Sequence, residues 1–415
     1  MADGVAAVAR SRGPLVASLL LGIAACSGPG ERPPGFSVED SAGVALARNT
    51  GTGTRWLGLE ETLRIGEADG PPARRLHRVG GVYPGPEGTL LVVNDLAAVR
   101  VYGPDGALLR ELGGRGPGPG RFQVLTQAVP VDGGVLATDL GLRRLTRLTR
   151  EGDVVWTTGW PEEGGSGVGL VRVGDRVLLE TRRAPEGLEP GALGRVTGEY
   201  WEIGLESGQL TGPVLSLPAG TAMRVSGGLH PPPLLDTTDV HRVAGPDRVV
   251  GAVGDGYAVE VRAWSGELLR RVTRDFDPVP VTREDLRRFD EAVERAPGGP
   301  TERAVLEAAR PRVAHVPPVE LVIPVQEGGF WVQRRDLARD PFGNALARRT
   351  EGDGAGPLEG RVFEYFDDVG RYVGSVRLPD RFAPRHWTAR HVVGVLRDEA
   401  DVEHVVRLRL VSGEG

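Results

Sequence analysis

Cysteine is almost missing from this 415-residue chain: Cys26 is the single one. One cysteine cannot form an intramolecular disulfide, and no CxxC or Cys/His cluster exists to bind zinc. Lysine is absent altogether, so all 50 basic residues are arginine, a bias that fits a GC-rich genome. The arginines are spread evenly. Aromatics make up only 5% of residues and the net charge is −6, so no aromatic-interleaved basic stripe exists for nucleic acid. No apolar run reaches the roughly 20 residues that a membrane-spanning helix needs. Catalytic signatures are lacking too. There is no HExxH and no G-x-S-x-G elbow, and the glycine-rich stretch 113–120 lacks a GK[ST] ending and precedes a strand. His386 and His391 are five apart in an extended segment, which puts them on opposite faces and makes them a poor metal pair.

Glycine (62) and proline (33) are plentiful. They punctuate short Val/Leu-rich runs at repeating intervals, which reads as many strands joined by tight turns. A chain of this length can bury enough apolar surface to fold without disulfides.

The first 25 residues read as a signal peptide. Arg10 and Arg12 precede the apolar run 15–25, which ends in small residues at Cys26. Ile23-Ala24-Ala25-Cys26 resembles the bacterial lipobox, whose cysteine becomes lipidated and N-terminal. Residues 27–35 form a polar Gly/Pro tether. Ser27, where aspartate would retain a lipoprotein at the inner membrane, implies outer-membrane sorting in a Gram-negative cell. The expected organisation is a signal peptide over 1–25, a lipid-anchored tether and lead-in over 26–54, and one folded unit over 55–411.

Within that unit an apolar run, a Gly-containing turn and a second apolar run recur. The turn glycines are Gly106, Gly152, Gly208, Gly266 and Gly370. Each marks a hairpin, because glycine allows the positive φ that a tight turn requires. The first three intervals suit the blades of a propeller with loop insertions. The last is about twice as long and holds a helical segment, 282–310. There Thr282 and Asp285 form an N-cap signature, and Leu286, Phe289 and Val293 share one face. That segment is expected to pack on the propeller's side or face, or to lie over a site as a lid. The carboxy-terminal repeat is one outer strand short, and the stretch from Thr62 to Gly66 can supply it. The predicted fold is an all-β, six-bladed propeller whose last blade is closed by an N-terminal strand.

Asp40-Ser41-Ala42-Gly43-Val44, the stretch from Ile65 to Val79, and the loop from Leu112 to Phe122 resemble a family of six-bladed propeller lipoproteins related to NHL-repeat propellers. The family often carries glutamate where Arg121 stands. Its pairing of a strand-end Asp with an Arg five residues on is matched by Asp139 and Arg144, whereas Ala98 occupies the Arg slot in the first blade. The resemblance implies a fold, not an activity.

Propeller sites lie where the blades converge. The strand-end polar residues Asn94, Asp95 and Asp139 would point there, joined by His77, Asp236 and His241. Two function classes follow. One is an envelope-anchored, monomeric binding or scaffold module for a protein, peptide or glycan, with no catalysis and no cofactor. The other is a hydrolase or lyase of the propeller-lactonase type, holding Ca²⁺ through oxygen ligands in the channel. Against these stand structural roles: Asp139 paired with Arg144, and Asn94-Asp95 holding a turn. Convergence of three or more carboxylates and amides on one point favours the enzyme. An apolar or arginine-lined channel favours binding.

Overall fold

The computed structural model describes residues 35–161, 166–189, 192–225, 228–230, 241–295, 299–335 and 361–413. Cys26 and Asp236 lie outside these residues. Six sheets form a six-bladed β-propeller. Blade one consists of Val82–Pro84, Leu90–Asn94, Ala98–Tyr102 and Leu108–Gly113, stepping outward from the axis in antiparallel order. Blade two repeats this over 125–159, blade three over 166–230, blade four over 241–274 and blade five over 319–377. Blade six combines Phe382–Trp387, His391–Arg397 and Glu403–Ser412 with an outer strand from the other end of the chain, Leu57–Ile65. That strand pairs antiparallel with Glu403–Ser412, from Val405 opposite Ile65 to Ser412 opposite Leu57. The expected ring closure is therefore present.

The hairpin turns follow from the glycines. All five predicted turn glycines have positive φ, between 72° and 98°. At Gly370 the demand is steric as well: a Cβ there would lie 2.6 Å from a methyl of Val272 in the neighbouring blade.

Burial is organised by seams, with one apolar cluster between each pair of adjacent blades. Leu91, Val93, Phe122, Leu125 and Val135 fill the seam between blades one and two. Ile65, Val82, Leu90, Val393 and Val405 fill the seam where blade six meets blade one. Ile65 is fully buried there, which at about 1.5–3 kcal/mol for such a side chain makes the N-terminal strand part of the core.

The strand Gly35–Ser41 and the strand Val44–Thr50 form a hairpin. The second of them pairs in parallel with the outer strand of blade four, Leu268–Arg274. The chain then crosses blade five, where Trp56 bridges Ser375, before joining blade six. Residues 35–65 thus bind the outer edges of three consecutive blades. Asn49 fastens this strap: its buried amide donates to Thr273 O (3.1 Å) and Gly370 O (3.0 Å) and accepts from Tyr372 N (2.7 Å).

The helical insertion is also present. Helix α1 spans Arg283–Arg295 and helix α2 spans Pro300–Ala308. Thr282 and Asp285 form a reciprocal cap, Thr282 N donating to Asp285 Oδ2 (2.9 Å) and Asp285 N to Thr282 Oγ1 (3.1 Å). Phe289 and Val293 are buried, as are Leu306 and Ala309, and α2 rests against the long outer strand of blade three, Leu210–Val225.

Candidate functional site

The two mouths of the channel differ. In each blade the innermost strand begins at one mouth and ends at the other. The links between blades and the turns after each second strand gather at the first mouth. His77, Asn94, Asp95, Asp139 and the helical insertion all belong there, since 275–318 joins the outer strand of blade four to the inner strand of blade five.

The sequence-predicted polar residues at that mouth make contacts within the chain. Asn94 Oδ1 accepts from His77 N (2.9 Å), and Asp95 N donates to His77 O (2.7 Å). The Asp95 carboxylate pairs with Arg115 at 3.0 Å, while the exposed His77 ring stands 3.9 Å away. Asp139 is fully buried and accepts three backbone N–H bonds, from Gln123 (2.9 Å), Val124 (3.0 Å) and Leu142 (3.1 Å). Its expected partner turns elsewhere: the Arg144 guanidinium donates to Gly118 O (2.9 Å) and Arg121 O (2.5 Å), holding the glycine-rich loop between blades one and two. Asp139 and Arg144 are thus register partners on adjacent strands with separate tasks. His241 is buried on the inner strand of blade four, His241–Val243, remote in the ring from blades one and two. The structure brings His77, Asn94 and Asp95 together and places Asp139 in the next blade.

The opposite mouth opens into a cavity of about 490 Å³. Residues from all six blades line it at the ends of their inner strands, among them Tyr83, Val129, Val171, Val243, Ile323 and Trp387. A second cavity of about 430 Å³ shares Val171, Val243, Ile323, Arg385 and Trp387 with it. A third, of about 150 Å³, shares Arg242 and Leu321 with the second. Pro84, Pro130 and Pro324 stand on the inner strands at the outermost cavity. Proline is tolerated there because the inner strand is an edge, and its missing N–H would have faced the channel. Those three positions offer the channel no backbone donor.

Side chains add donors of their own. The three cavities are lined by five arginines, Arg172, Arg182, Arg242, Arg361 and Arg385, against two glutamates, Glu180 and Glu320. Glu180 pairs with Arg182 at 3.4 Å, and Glu320 accepts from Gln333 Nε2 at 2.7 Å. Arg172 leans on Gly174 O at 3.1 Å. Arg242 and Arg385 form neither an ion pair nor a hydrogen bond with any described residue. Loss of solvation lowers the pKa of both, Arg242 being drawn partly back up by Glu180 and Arg385 by Tyr83 and Glu403. Both remain cations at any physiological pH. Burial likewise lowers the pKa of His386, beside Arg385 on the inner strand of blade six. His391 lies on the next strand outward.

Reading the sequence alone missed these arginines because 50 arginines spread evenly conceal any two. The available signal was local. His241-Arg242-Val243 and Pro384-Arg385-His386-Trp387 each place an arginine in the inner, channel-lining strand of a blade.

Among the described residues, no three His, Cys, Asp or Glu side chains come together as a metal set, and no helix is long and apolar enough to cross a membrane. No protein-family profile matches the chain, and no curated protein matches it. Solved structures are similar. A member of the DUF4221 family from Bacteroides vulgatus is 9% identical with a TM-score of 0.48, over 87% of this chain and 100% of its own. BamB from Moraxella catarrhalis is 11% identical with a TM-score of 0.37, over 85% and 100%. A protein of unknown function from Bacteroides caccae is 15% identical with a TM-score of 0.32, over 72% and 81%.

Proposed function

We propose that this chain is an exported envelope protein, lipid-anchored through Cys26 and sorted to the outer membrane in a Gram-negative cell, whose monomeric propeller is a binding module. The channel is the binding site. The observation that carries this reading is the lining: apolar walls and arginines, with two of the arginines forming no direct ion pair or hydrogen bond with a described residue. Such a surface holds a partner through desolvation and charge. The lactonase-type alternative needs converging oxygen ligands, and no described cluster speaks for it. The lipid-anchor part rests on the lipobox resemblance of residues 23–26.

Two measurements test this. Palmitate labelling with membrane fractionation should give a labelled, membrane-bound protein, and Cys26→Ser should abolish both label and attachment; label retained in the variant would refute the anchor. Elemental analysis of the purified protein should find no stoichiometric calcium. Calcium at one per chain, together with lactone hydrolysis lost on chelation, would overturn the binding reading in favour of the enzyme.

A further inference from the structure

We propose that the channel binds a small organic oxyanion, a carboxylate- or phosphate-bearing molecule with an apolar body, with Arg242 and Arg385 as its anion ligands. This rests on the reading of the propeller as a binding module and names the ligand's chemistry.

Both guanidiniums line the same cavity of about 430 Å³, Arg242 from the inner strand of blade four and Arg385 from that of blade six. Arg242 is part-buried, where losing solvation is unfavourable unless a counter-charge or acceptors replace it, while Arg385 stays exposed at the edge of the same cavity. Elsewhere in this ring arginines find such partners. Arg176 forms a two-pronged pair with Glu202 at 2.8 Å, and Arg183 with Glu199 at 2.8 and 3.1 Å. In the channel the nearby carboxylates are already engaged, Glu180 by Arg182 and Glu320 by Gln333. The described lining therefore keeps an excess of positive charge.

The guanidinium is a planar fork whose paired N–H donors match the two oxygens of a carboxylate or phosphate. Around the charges the wall is apolar: Trp387, Val243 and Ile323 line both large cavities. An oxyanion with an apolar body uses both surfaces, whereas a bare inorganic ion uses only one. The outer cavity, about 490 Å³ and enclosed by all six blades, has the size of a small-molecule pocket and not that of a macromolecular interface. Its mouth is the one away from the helical insertion, so a ligand entering there meets the ends of the inner strands first.

The test is calorimetric titration of the full mature protein with octanoate, phenyl phosphate, inorganic phosphate, octanol and octylamine. Octanoate or phenyl phosphate should bind with a dissociation constant of about 1 mM or tighter. Inorganic phosphate and octanol should bind at least about tenfold more weakly, and octylamine should give no heat. Preference for octanoate over phenyl phosphate identifies a carboxylate ligand, and the reverse a phosphate ligand. Arg242→Met and Arg385→Met should each weaken the preferred anion about tenfold or more. Arg→Lys at each site, a conservative change that keeps the charge and loses the fork, should weaken it less. Absence of binding by both organic anions overturns the proposal. Equal binding of octanol and octanoate, unchanged in the arginine variants, overturns the anion assignment while leaving the channel as a binding site. Calcium-dependent hydrolysis would instead bring down the reading beneath it.

Discussion

Two regions of the ring hold arginine in opposite ways, one fully buried, the other part-buried at Arg242 and exposed at Arg385. At the seam between blades four and five, Arg274 and Glu364 are both almost fully buried and form a direct ion pair. Tyr257 donates its hydroxyl to the same carboxylate, Arg274 Nη2 donates to Gly53 O at 2.9 Å, and the guanidinium lies 4.1 Å from the centre of the Tyr372 ring. Charge, hydrogen bonds and aromatic face are all provided from within. In the channel, Arg242 and Arg385 make no direct ion pair or hydrogen bond with a described residue, and Glu180 and Glu403 act on them only from a distance. The first arrangement has its charge matched within the chain, with only Arg274 Nε left without an acceptor, and joins two blades to the strap at Gly53. The second is matched only when something else enters. Arginine burial by itself thus says little about role; what distinguishes structure from site is whether the chain supplies the counter-charge.

Breaking the matched arrangement should have the largest effect. Glu364→Ala leaves Arg274 as an uncompensated cation in a dry seam and strips Tyr257 of its acceptor. The expected loss is about 3–5 kcal/mol in urea unfolding. Replacing both partners, as in Arg274→Met with Glu364→Leu, should recover part of it, since the buried pair leaves together, while Tyr257 still lacks its acceptor and Arg334 loses its contact with Glu364. A loss below about 1 kcal/mol for the single variant would mean that the seam is wetter than its geometry implies and that the contrast with the channel is one of degree.

The fold was legible in the sequence where local chemistry dictates shape. Gly106, Gly152, Gly208, Gly266 and Gly370 announce turns because positive φ is nearly glycine's alone. The closing strand could be inferred because the last repeat lacked a partner that Leu63 and Ile65 could provide. The hairpin over 35–50 could not. It pairs in parallel with a strand more than two hundred residues away, and its anchor Asn49 reads in sequence as an ordinary polar residue. The same division holds for the site. Asn94, Asp95 and Asp139 stand out as strand-end polar residues, yet the structure uses Asn94 and Asp139 to hold backbone and pairs Asp95 with Arg115. The channel arginines gain meaning only from what fails to surround them, a property of three-dimensional neighbours that no spacing encodes.

The unmatched arrangement predicts a smaller change of opposite sign. Arg242→Met removes a partly desolvated cation and keeps its apolar stem, so the ligand-free variant should be more stable than the parent by about 1 kcal/mol. That amounts to roughly 2 °C in a chain of this size. Calorimetry decides it: a clearly lower midpoint would show that the guanidinium holds the channel together, in which case it resembles Arg274 after all.

The smallest effect is expected from His386, and its sign follows from linkage. Burial lowers its folded-state pKa below the usual 6.5, so in the folded protein the ring stays neutral as pH falls, while in the unfolded chain it takes up a proton near 6.5. The unfolded state then binds more protons. Stability contributed by the neutral ring is complete above about pH 6.5 and is lost as pH falls towards the lowered folded-state value. One proton limits this slope to about 1.4 kcal/mol per pH unit. His391 is shifted in the same direction, by burial and by Arg407, Arg409 and Arg390, so His386→Gln should flatten the slope only in part. The carboxylates held low by their partners, such as Glu61 beside Arg64 and Asp398 beside His404, act at more acid pH and leave this window clear. His386 also lines the outer cavity next to Arg385. An oxyanion bound there would favour the protonated ring and bring its folded pKa back towards 6.5. Saturating octanoate should therefore shrink the acid slope of the parent protein and leave that of His386→Gln unchanged. An equal effect on both would place the anion away from this mouth, and the channel arginines would then need a different counter-charge.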